Sequence, residues 1–317
     1  MPSETIDHAF TAENLTDAAS DPTYAGALSF MRRRYTKSLE GVDVCVLGIP
    51  FDAATSNRPG ARFGPQAIRA ASAIMDSDPQ YPFGVNLFTN LAVVDRGDVL
   101  LDFGKHDETP ARIEREASEI ISSGAFLLGL GGDHFVTWPL LKSHAEKHGP
   151  LALVQFDSHQ DTWPDDGKRI DHGTFVSRAV KDGVIDPSKS IQIGIRTHAP
   201  DDYGIEIIHA YDLEEMNATA VAERIVRRVG DAPCYLTFDI DCLDPAFAPG
   251  TGTPVAGGPS SAKMLSVISK LGSLNIVGAD VVEVAPAYDQ ADVTAIAGAA
   301  VAMHVVGLLG EKKNGTL

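Results

Sequence analysis

The sequence predicts an α/β protein in which helices cover both faces of a parallel sheet. Eight short apolar runs, rich in β-branched residues, are separated by longer segments with helical patterns. Strands that alternate with helices in this way form parallel sheets, whose strands are buried on both faces. The chain has 317 residues, of which 44% are hydrophobic and 22% charged, so it can bury a large core.

The elements are assigned in chain order from these patterns. The predicted strands are Val42–Ile49, Leu91–Val94, Phe126–Leu130, Leu151–Phe156, Ile191–Ile195, Ile205–Ile208, Cys234–Phe238 and Ile276–Val282. The predicted helices are Pro65–Ala71, Pro110–Ser122, Thr137–Lys147, Thr174–Asp182, Ala218–Val229, Ser260–Leu271 and Asp292–Leu309. Since no linker, repeat or low-complexity tract divides the chain, we expect an N-terminal arm (residues 1–35) and a single catalytic domain (residues 36–317).

Composition excludes several classes of function. The formal charge is −17, from 43 acidic and 26 basic residues, which opposes binding to nucleic acid or to an anionic membrane and suits small cationic molecules. Three cysteines without a CxxC pair are not a disulfide framework. The N-terminus lacks the basic leader and apolar stretch of an export signal, and the apolar stretch from Ala295 to Leu309 falls short of a membrane span. We therefore expect a cytoplasmic protein.

Polar clusters follow four of the predicted strands, at the carboxyl ends where open α/β sheets bind ligands. They are GGDH at 131–134, DSHQD at 157–161, DIDCLD at 239–244 and DVVE at 280–283. Alternate side chains of an extended chain face the same way, so Asp157, His159 and Asp161 can share one locus, and Asp239 and Asp241 another.

With His134, these residues give four carboxylates and two imidazoles, a charge that requires cations if the groups are close together. Such a ligand set suits hard or borderline ions such as Mn²⁺, and the lack of cysteine ligands argues against structural zinc. Either motif alone could be a capped turn. The three together, each after an apolar strand, favour a metal site. Asp133 is left outside the ligand set, as a residue that either supports a ligand or stabilises the turn.

The same segments resemble the ureohydrolase family. The resemblance extends from about residue 40 to about residue 305, and it rests on ordered motifs throughout. Besides those already given, the matching runs are GIPFDAATSNRPGARFGPQAIR at 48–69, IDHGT at 170–174, VIDPSKSIQIGIRT at 184–197, FDIDCLDPAFAPGTGTPVAGG at 238–258 and DVVEVAP at 280–286. It implies a three-layer α/β/α fold with a mainly parallel eight-stranded sheet, assembled as a homotrimer or homohexamer.

The resemblance also implies two manganese ions per chain. One is held by His134, Asp157, Asp161 and Asp239, and the other by Asp157, His159, Asp239 and Asp241, so that Asp157 and Asp239 bridge. The chain departs from the family run at two positions that are not ligands, where Ser158 replaces alanine and Gln160 replaces threonine or serine.

The implied reaction is hydrolysis of agmatine to putrescine and urea, by a hydroxide held between the two ions. Glu283 is expected to clamp the guanidinium, Asp161 to pass a proton to the departing amine, and His172 to shuttle protons to bulk water. Trp163 is expected to line the path of the substrate tail. The alternative interpretations are packing for Trp163 and a structural loop hydrogen bond for His172.

Tail selectivity stays open at this point. In the loop after Asp161, the acidic residues Asp165, Asp166 and Asp171 favour an amine tail, whereas Lys168 and Arg169 favour a carboxylate tail. A hydrolase of guanidinobutyrate or guanidinopropionate with the same metal core is therefore the main alternative. A zinc deacetylase of related architecture and a catalytically silent metal-binding protein are more distant ones.

Overall fold

A computed structural model describes residues 15, 23–75, 79–102, 104–313 and 315. In these residues one parallel sheet contains nine strands, in the order β1-β3-β2-β4-β9-β8-β5-β6-β7. The strands are β1 Arg34–Tyr35, β2 Val44–Ile49, β3 Val93–Asp98, β4 Phe126–Gly131, β5 Ala152–Phe156, β6 Ile191–Ile195, β7 Glu206–His209, β8 Pro233–Asp239 and β9 Asn275–Val282. All eight predicted strands are present.

The expected count of eight strands is corrected to nine. The additional strand, β1, has two exposed residues and pairs with β3 at the edge of the sheet. It contains one charged and one aromatic residue instead of an apolar run, so its sequence lacks the pattern of a buried strand.

Helices cover both faces of the sheet, which confirms the predicted fold class. They are α1 Gly64–Ser72, α2 Thr109–Ser123, α3 Thr137–His148, α4 Phe175–Lys181, α5 Ala210–Glu215, α6 Ala218–Val229, α7 Ser261–Ile268 and α8 Val293–Lys313. All seven predicted helices are present, and α5 was not predicted. The buried side chains of α1, α6, α7 and α8 join one core, whereas those of α2, α3 and α4 join a second core across the sheet.

The continuous apolar runs follow from this layering. In β2, Val44 and Val46 belong to one core while Cys45, Leu47 and Ile49 belong to the other. Successive side chains of a strand point to opposite faces, so a strand with two covered faces is apolar throughout. All three cysteines are buried and free, as the sequence predicted.

The last helix, α8, is longer than the sequence suggested. Its 21 residues have a mean hydropathy of 1.9 in the most apolar window, so by length and composition it could cross a membrane. This corrects the expectation that the stretch is too short. In the structure 78% of that window is buried inside the protein, which is the arrangement of a core helix.

The predicted N-terminal arm is described only in part, because residues 1–14 and 16–22 lie outside the described residues. Within residues 23–35, Phe30 and Met31 are buried in the core. The backbone N–H of Phe30 donates to Asp95 Oδ2 at 2.7 Å, and Arg69 pairs with the same carboxylate. The division into an arm and a catalytic domain stays a prediction.

Candidate metal centre

The sheet order brings the four polar segments side by side. Strands β4, β9, β8 and β5 are consecutive neighbours, and parallel strands place their carboxyl ends at one edge. His134 follows β4, Glu283 follows β9, Asp239 ends β8, and Asp157 follows β5. Gly132 is required on the way to His134, because a Cβ there would collide with the backbone oxygens of Ile49 and Phe51.

The first group of candidate ligands surrounds one ring nitrogen. Nδ1 of His134 lies 3.0 Å from Asp157 Oδ2, 3.1 Å from Asp161 Oδ2 and 3.1 Å from Asp239 Oδ2. All four side chains are buried. Among the described residues, this nitrogen has no hydrogen-bond partner.

The other ring nitrogen of His134 carries a hydrogen. Nε2 lies 2.9 Å from Thr237 Oγ1, and the Thr237 hydroxyl donates to Asp280 Oδ1 at 2.5 Å. Because the hydroxyl hydrogen goes to Asp280, Thr237 must accept the N–H of Nε2. Nδ1 then faces three carboxylate oxygens, where it could hold either a proton or a metal ion. An outer partner of this kind on Nε2 is typical of histidines that bind metal.

Asp280 is held in turn by two further hydroxyl groups. Thr137 Oγ1 donates to its Oδ2 at 2.8 Å, and the Tyr235 hydroxyl donates to the same oxygen at 2.9 Å. This network connects α3, β8 and β9 beneath His134, so the orientation of the imidazole is fixed from behind.

A second group of candidate ligands lies around His159. Its Nδ1 is 3.1 Å from Asp241 Oδ2 and 3.5 Å from Asp157 Oδ1. The two oxygens of Asp157 therefore face different histidines, which is the geometry of a carboxylate shared by two ions. Gln155 Nε2 donates to Asp157 Oδ2 at 2.8 Å and fixes the rotation of that carboxylate.

Electrostatics at the centre favour added positive charge. Burial raises the pKa of Asp239 well above its usual range, and the charges of Asp241 and Asp157 raise it further. Burial and the Asp157 charge raise the pKa of Asp161 to about 6. Burial lowers the pKa of His134, but its three carboxylate neighbours outweigh this and raise it well above its ordinary value. Either a proton or a metal ion at Nδ1 satisfies these groups.

These residues fit the metals that the sequence implied. The structure brings all six predicted ligands together in two groups that share Asp157, with oxygen and imidazole donors and no thiolate. Asp239 belongs to the first group, and its Oδ1 accepts the backbone N–H of Asp241 at 2.8 Å. Its role as a second bridge stays a prediction.

Glu283 lies behind His134 and contacts the predicted proton shuttle. Its Oε1 accepts the backbone N–H of His134 at 2.9 Å and lies 2.8 Å from His172 Nδ1. Its Oε2 is buried and has no hydrogen-bond partner among the described residues. The two oxygens of Glu283 therefore differ, since Oε1 has two partners within the protein and Oε2 has none among the described residues.

His172 is bonded at both ring nitrogens. Nδ1 contacts Glu283, and Nε2 accepts the backbone N–H of Ser56 at 3.1 Å and lies 2.8 Å from its hydroxyl. Burial lowers the pKa of His172, but the hydrogen bond and charge of Glu283 reverse this and raise it to about 9. A proton on Nε2 would have to displace the N–H of Ser56, which that nitrogen accepts in this structure. The histidine therefore connects the carboxylate beside the metal groups to a loop at the cleft wall.

A cleft of about 500 Å³ opens above the candidate ligands. Trp163, which is 47% exposed, is part of its wall, and its expected place beside the substrate tail stays a prediction. The lining residues are Ser56, His159, Asp161, Trp163, Pro164, Arg169, Asp171, His172, Gly173, Thr174, Asp239 and Thr253. Ser56 and Thr253 lie within the matching runs 48–69 and 238–258, but nothing in those runs singled them out as lining residues.

The charged side chains of the loop after Asp161 have different partners. Asp165 is buried against Arg178 at 2.6 Å, and Asp166 accepts the backbone N–H groups of residues 168 and 169. Arg169 and Asp171 both line the cleft and pair with each other at 2.6 Å. The charged residues of this loop that line the cleft are therefore Arg169 and Asp171, and they neutralise each other.

The two departures from the family run also have contacts. Gln160 Oε1 accepts the backbone N–H of Ala199 at 2.7 Å, which ties the ligand loop to the loop after β6. The Ser158 hydroxyl lies 2.7 Å from Asp241 Oδ1. Asp133, which was left out of the ligand set, accepts backbone N–H groups from Ala54 and Phe135.

A three-layer parallel α/β protein with this centre beneath an open cleft belongs to the class of metal-dependent hydrolases. The model of the arginase family matches residues 42–307. The chain is 52% identical to an agmatinase from Chromobacterium violaceum, over 97% of this chain and 96% of that protein. It is 44% identical to an agmatinase from Photorhabdus laumondii, over 96% and 99%. The chain belongs to the arginase family, which confirms the ureohydrolase resemblance.

Solved structures agree in fold. The crystal structure of a hypothetical agmatinase from Burkholderia thailandensis has a TM-score of 0.96 and 52% identity, over 98% of this chain and 99% of that one. Proclavaminate amidino hydrolase from Streptomyces clavuligerus has a TM-score of 0.87 and 38% identity, over 92% and 99%.

We predict that Thr237→Val lowers the affinity for Mn²⁺ at His134 by about 10- to 100-fold, because the N–H of Nε2 loses its acceptor. Binding is measured by dialysis of the protein against graded Mn²⁺, followed by metal analysis. Thr251→Val is the matched control, since Thr251 is fully buried and its hydroxyl has no partner in the described residues. Equal metal affinity in the two variants would show that the Thr237 contact does not support the site.

Proposed function

We propose that this protein hydrolyses agmatine to putrescine and urea. The observation that carries the proposal is the convergence of two carboxylate–imidazole groups, sharing Asp157, beside the free oxygen of Glu283. Identities of 52% and 44% to agmatinases along nearly the whole chain support this substrate.

The cofactor of the proposal is a pair of Mn²⁺ ions. His134, Asp157, Asp161 and Asp239 would hold one, and Asp157, His159, Asp239 and Asp241 the other. When bound, such a pair lowers the pKa of water and supplies a nucleophile near neutral pH. The oxygen-rich donor set with two imidazoles supports manganese over zinc.

Glu283 orients the guanidinium in this proposal. Its buried Oε2 lacks a donor, while the substrate carries a planar cation with several N–H groups. Because Oε1 already accepts two hydrogen bonds, Glu283 offers one free oxygen rather than a symmetric two-oxygen clamp. The backbone of Glu283 has φ of 64°, a sparsely populated conformation that sets the direction of the carboxylate.

Asp161 and His172 handle protons. Asp161 lines the cleft, and its Oδ2 lies within the first group of ligands, so it can accept a proton from the nucleophile and give it to the departing amine. His172 also lines the cleft, where it can exchange protons with solvent. For this His172 must exchange its contact with Ser56 for a water molecule, which ties proton exchange to the loop that carries Ser56.

The cleft wall does not by itself select the substrate tail. Among the described lining residues, Arg169 is the sole Lys or Arg side chain, and Asp171 neutralises it. The other lining acids, Asp161 and Asp239, are assigned to the metal groups, so neither an amine nor a carboxylate tail meets an uncommitted charge among these residues. The identities to agmatinases support agmatine over guanidinobutyrate or guanidinopropionate, and Trp163 would line the path of its tail.

The remaining assignments are proposals of the same kind. We place the enzyme in the cytoplasm, without nucleic-acid or membrane partners, as a homotrimer or homohexamer that contributes to polyamine synthesis. The family match over residues 42–307 supports a single catalytic domain from residue 36 onward.

The test of the function is urea release from agmatine. Protein stripped of metal should be inactive, and Mn²⁺ should restore activity better than Zn²⁺, because the donors are oxygen and imidazole. Guanidinobutyrate and guanidinopropionate serve as comparison substrates. Higher kcat/KM for either acid would replace agmatine with a guanidino acid, and no urea from any of the three would overturn the proposal.

Glu283→Gln should retain both ions and lose most agmatine hydrolysis. The amide would present an N–H donor where the substrate also presents donors, and a charge-assisted bond would be lost. A loss of about 3 kcal/mol corresponds to a decrease of roughly a hundredfold in kcat/KM. Glu206→Gln is the matched control. Glu206 lies in β7 and pairs with Arg224 of α6, so the same change is made outside the metal groups and the cleft lining.

Metal content separates the outcomes for Glu283→Gln. If an ion is lost and residual activity follows metal occupancy, Glu283 belongs to the metal shell. Near-normal kinetics with both ions bound would remove it from the mechanism.

A further inference from the structure

Ser158 lies between two candidate ligands, Asp157 and His159, and is completely buried. Its backbone is clamped, because its carbonyl oxygen accepts the backbone N–H of Arg196 at 3.0 Å and the hydroxyl of Thr197 at 3.1 Å. The side-chain hydroxyl is therefore directed by a fixed backbone, and bulk water does not reach it.

The hydroxyl has two acceptors within reach. Its Oγ lies 2.7 Å from Asp241 Oδ1 and 3.0 Å from His159 Nδ1. The backbone N–H of Ser158 donates to the same Oδ1 at 3.2 Å. The other oxygen, Oδ2, faces His159 Nδ1 at 3.1 Å and accepts the Thr253 hydroxyl at 3.2 Å.

We propose that Ser158 is a positioning residue that orients the carboxylate of Asp241 and strengthens binding of the second ion. The inference rests on the proposed two-ion centre. Two donors occupy Oδ1 and direct Oδ2 towards the locus shared with His159 and Asp157. The carboxylate is thus oriented before an ion arrives, and less rotational freedom is lost on binding.

Binding of the ion and the hydrogen bond support each other. An ion at His159 Nδ1 uses the lone pair of that nitrogen, so the hydroxyl hydrogen is left with Asp241 Oδ1 as its acceptor. A hydroxyl that donates to Nδ1 instead would compete with the ion. Coupling free energy is reciprocal. If binding of the ion strengthens the hydrogen bond from Ser158 to Asp241, that hydrogen bond strengthens binding of the ion by the same free energy.

The hydroxyl comes from a position where this chain departs from the common family run. The family run commonly has alanine at this position, which retains the backbone donor to the aspartate but lacks the hydroxyl. The Ser158 hydroxyl therefore adds one donor to the ligand sphere without changing a ligand.

The test is stepwise binding of Mn²⁺ to the metal-free full-length protein, by titration calorimetry with metal analysis. Ser158→Ala should lower the affinity for the second ion, at His159, about tenfold and leave the affinity for the first ion, at His134, unchanged. The substitution removes one buried atom and adds none, and circular dichroism establishes that the variant folds. Ser190→Ala is the matched control, because Ser190 is equally buried and makes two hydrogen bonds away from the ligands, and it should leave both ions unchanged.

The outcomes separate this inference from the proposed function. Two ions in the wild type, with second-ion affinity unchanged or increased in Ser158→Ala, would overturn the role of Ser158 alone. Equal weakening of both ions would also overturn it, since a general structural defect has no preference for the second ion. Fewer than two ions in the wild type would overturn both the two-ion centre and this inference.

Discussion

Four buried carboxylates at one edge of the sheet repel each other, and the rest of the site is organised around offsetting that repulsion. Asp157, Asp161, Asp239 and Asp241 are each at most 6% exposed. Water cannot screen charges at this depth, so a cation or proton must. Two protonated histidines would supply two positive charges against four carboxylates, so they offset only part of the repulsion. Divalent ions satisfy all of these groups at once.

The protein supports this cluster through hydrogen bonds and strained backbone. Gln155 holds Asp157, Ser158 and Thr253 hold Asp241, and the Asp280 network holds His134. Asp161, with φ of 51°, shares with Glu283 a left-handed backbone that is unfavourable for residues other than glycine. Each such conformation costs on the order of 1–3 kcal/mol, and the surrounding packing maintains it. The strained backbone holds the carboxylates of Asp161 and Glu283 in fixed directions.

Much of the fold could be predicted, because strands with two covered faces leave continuous apolar runs. The ligand segments were predictable for a related reason, since charged residues directly after such runs have few structural explanations. The edge strand β1 and the short helix α5 were missed, as neither is long or apolar enough to produce a pattern. The difference between the two oxygens of Glu283 also needed coordinates, because the partners of Oε1 come from His134 and His172.

The supporting residues could not be predicted from one sequence. Thr237 and Gln155 lie inside apolar strands, where nothing along the chain shows which neighbour each one meets. Ser56 contacts His172 across 116 positions, and such a contact depends on the closed fold. Ser158 was visible as an unusual residue, but its contact with Asp241 depends on the pairing of the ends of β5 and β8.

Anomalous X-ray scattering at the manganese edge, from crystals of Mn²⁺-loaded protein, tests the two-ion centre most directly. We expect two peaks about 3.5–4 Å apart, as in other two-metal sites, one near His134 Nδ1 and one near His159 Nδ1, with Asp157 between them. A single peak, or peaks that do not contact both histidines, would contradict it.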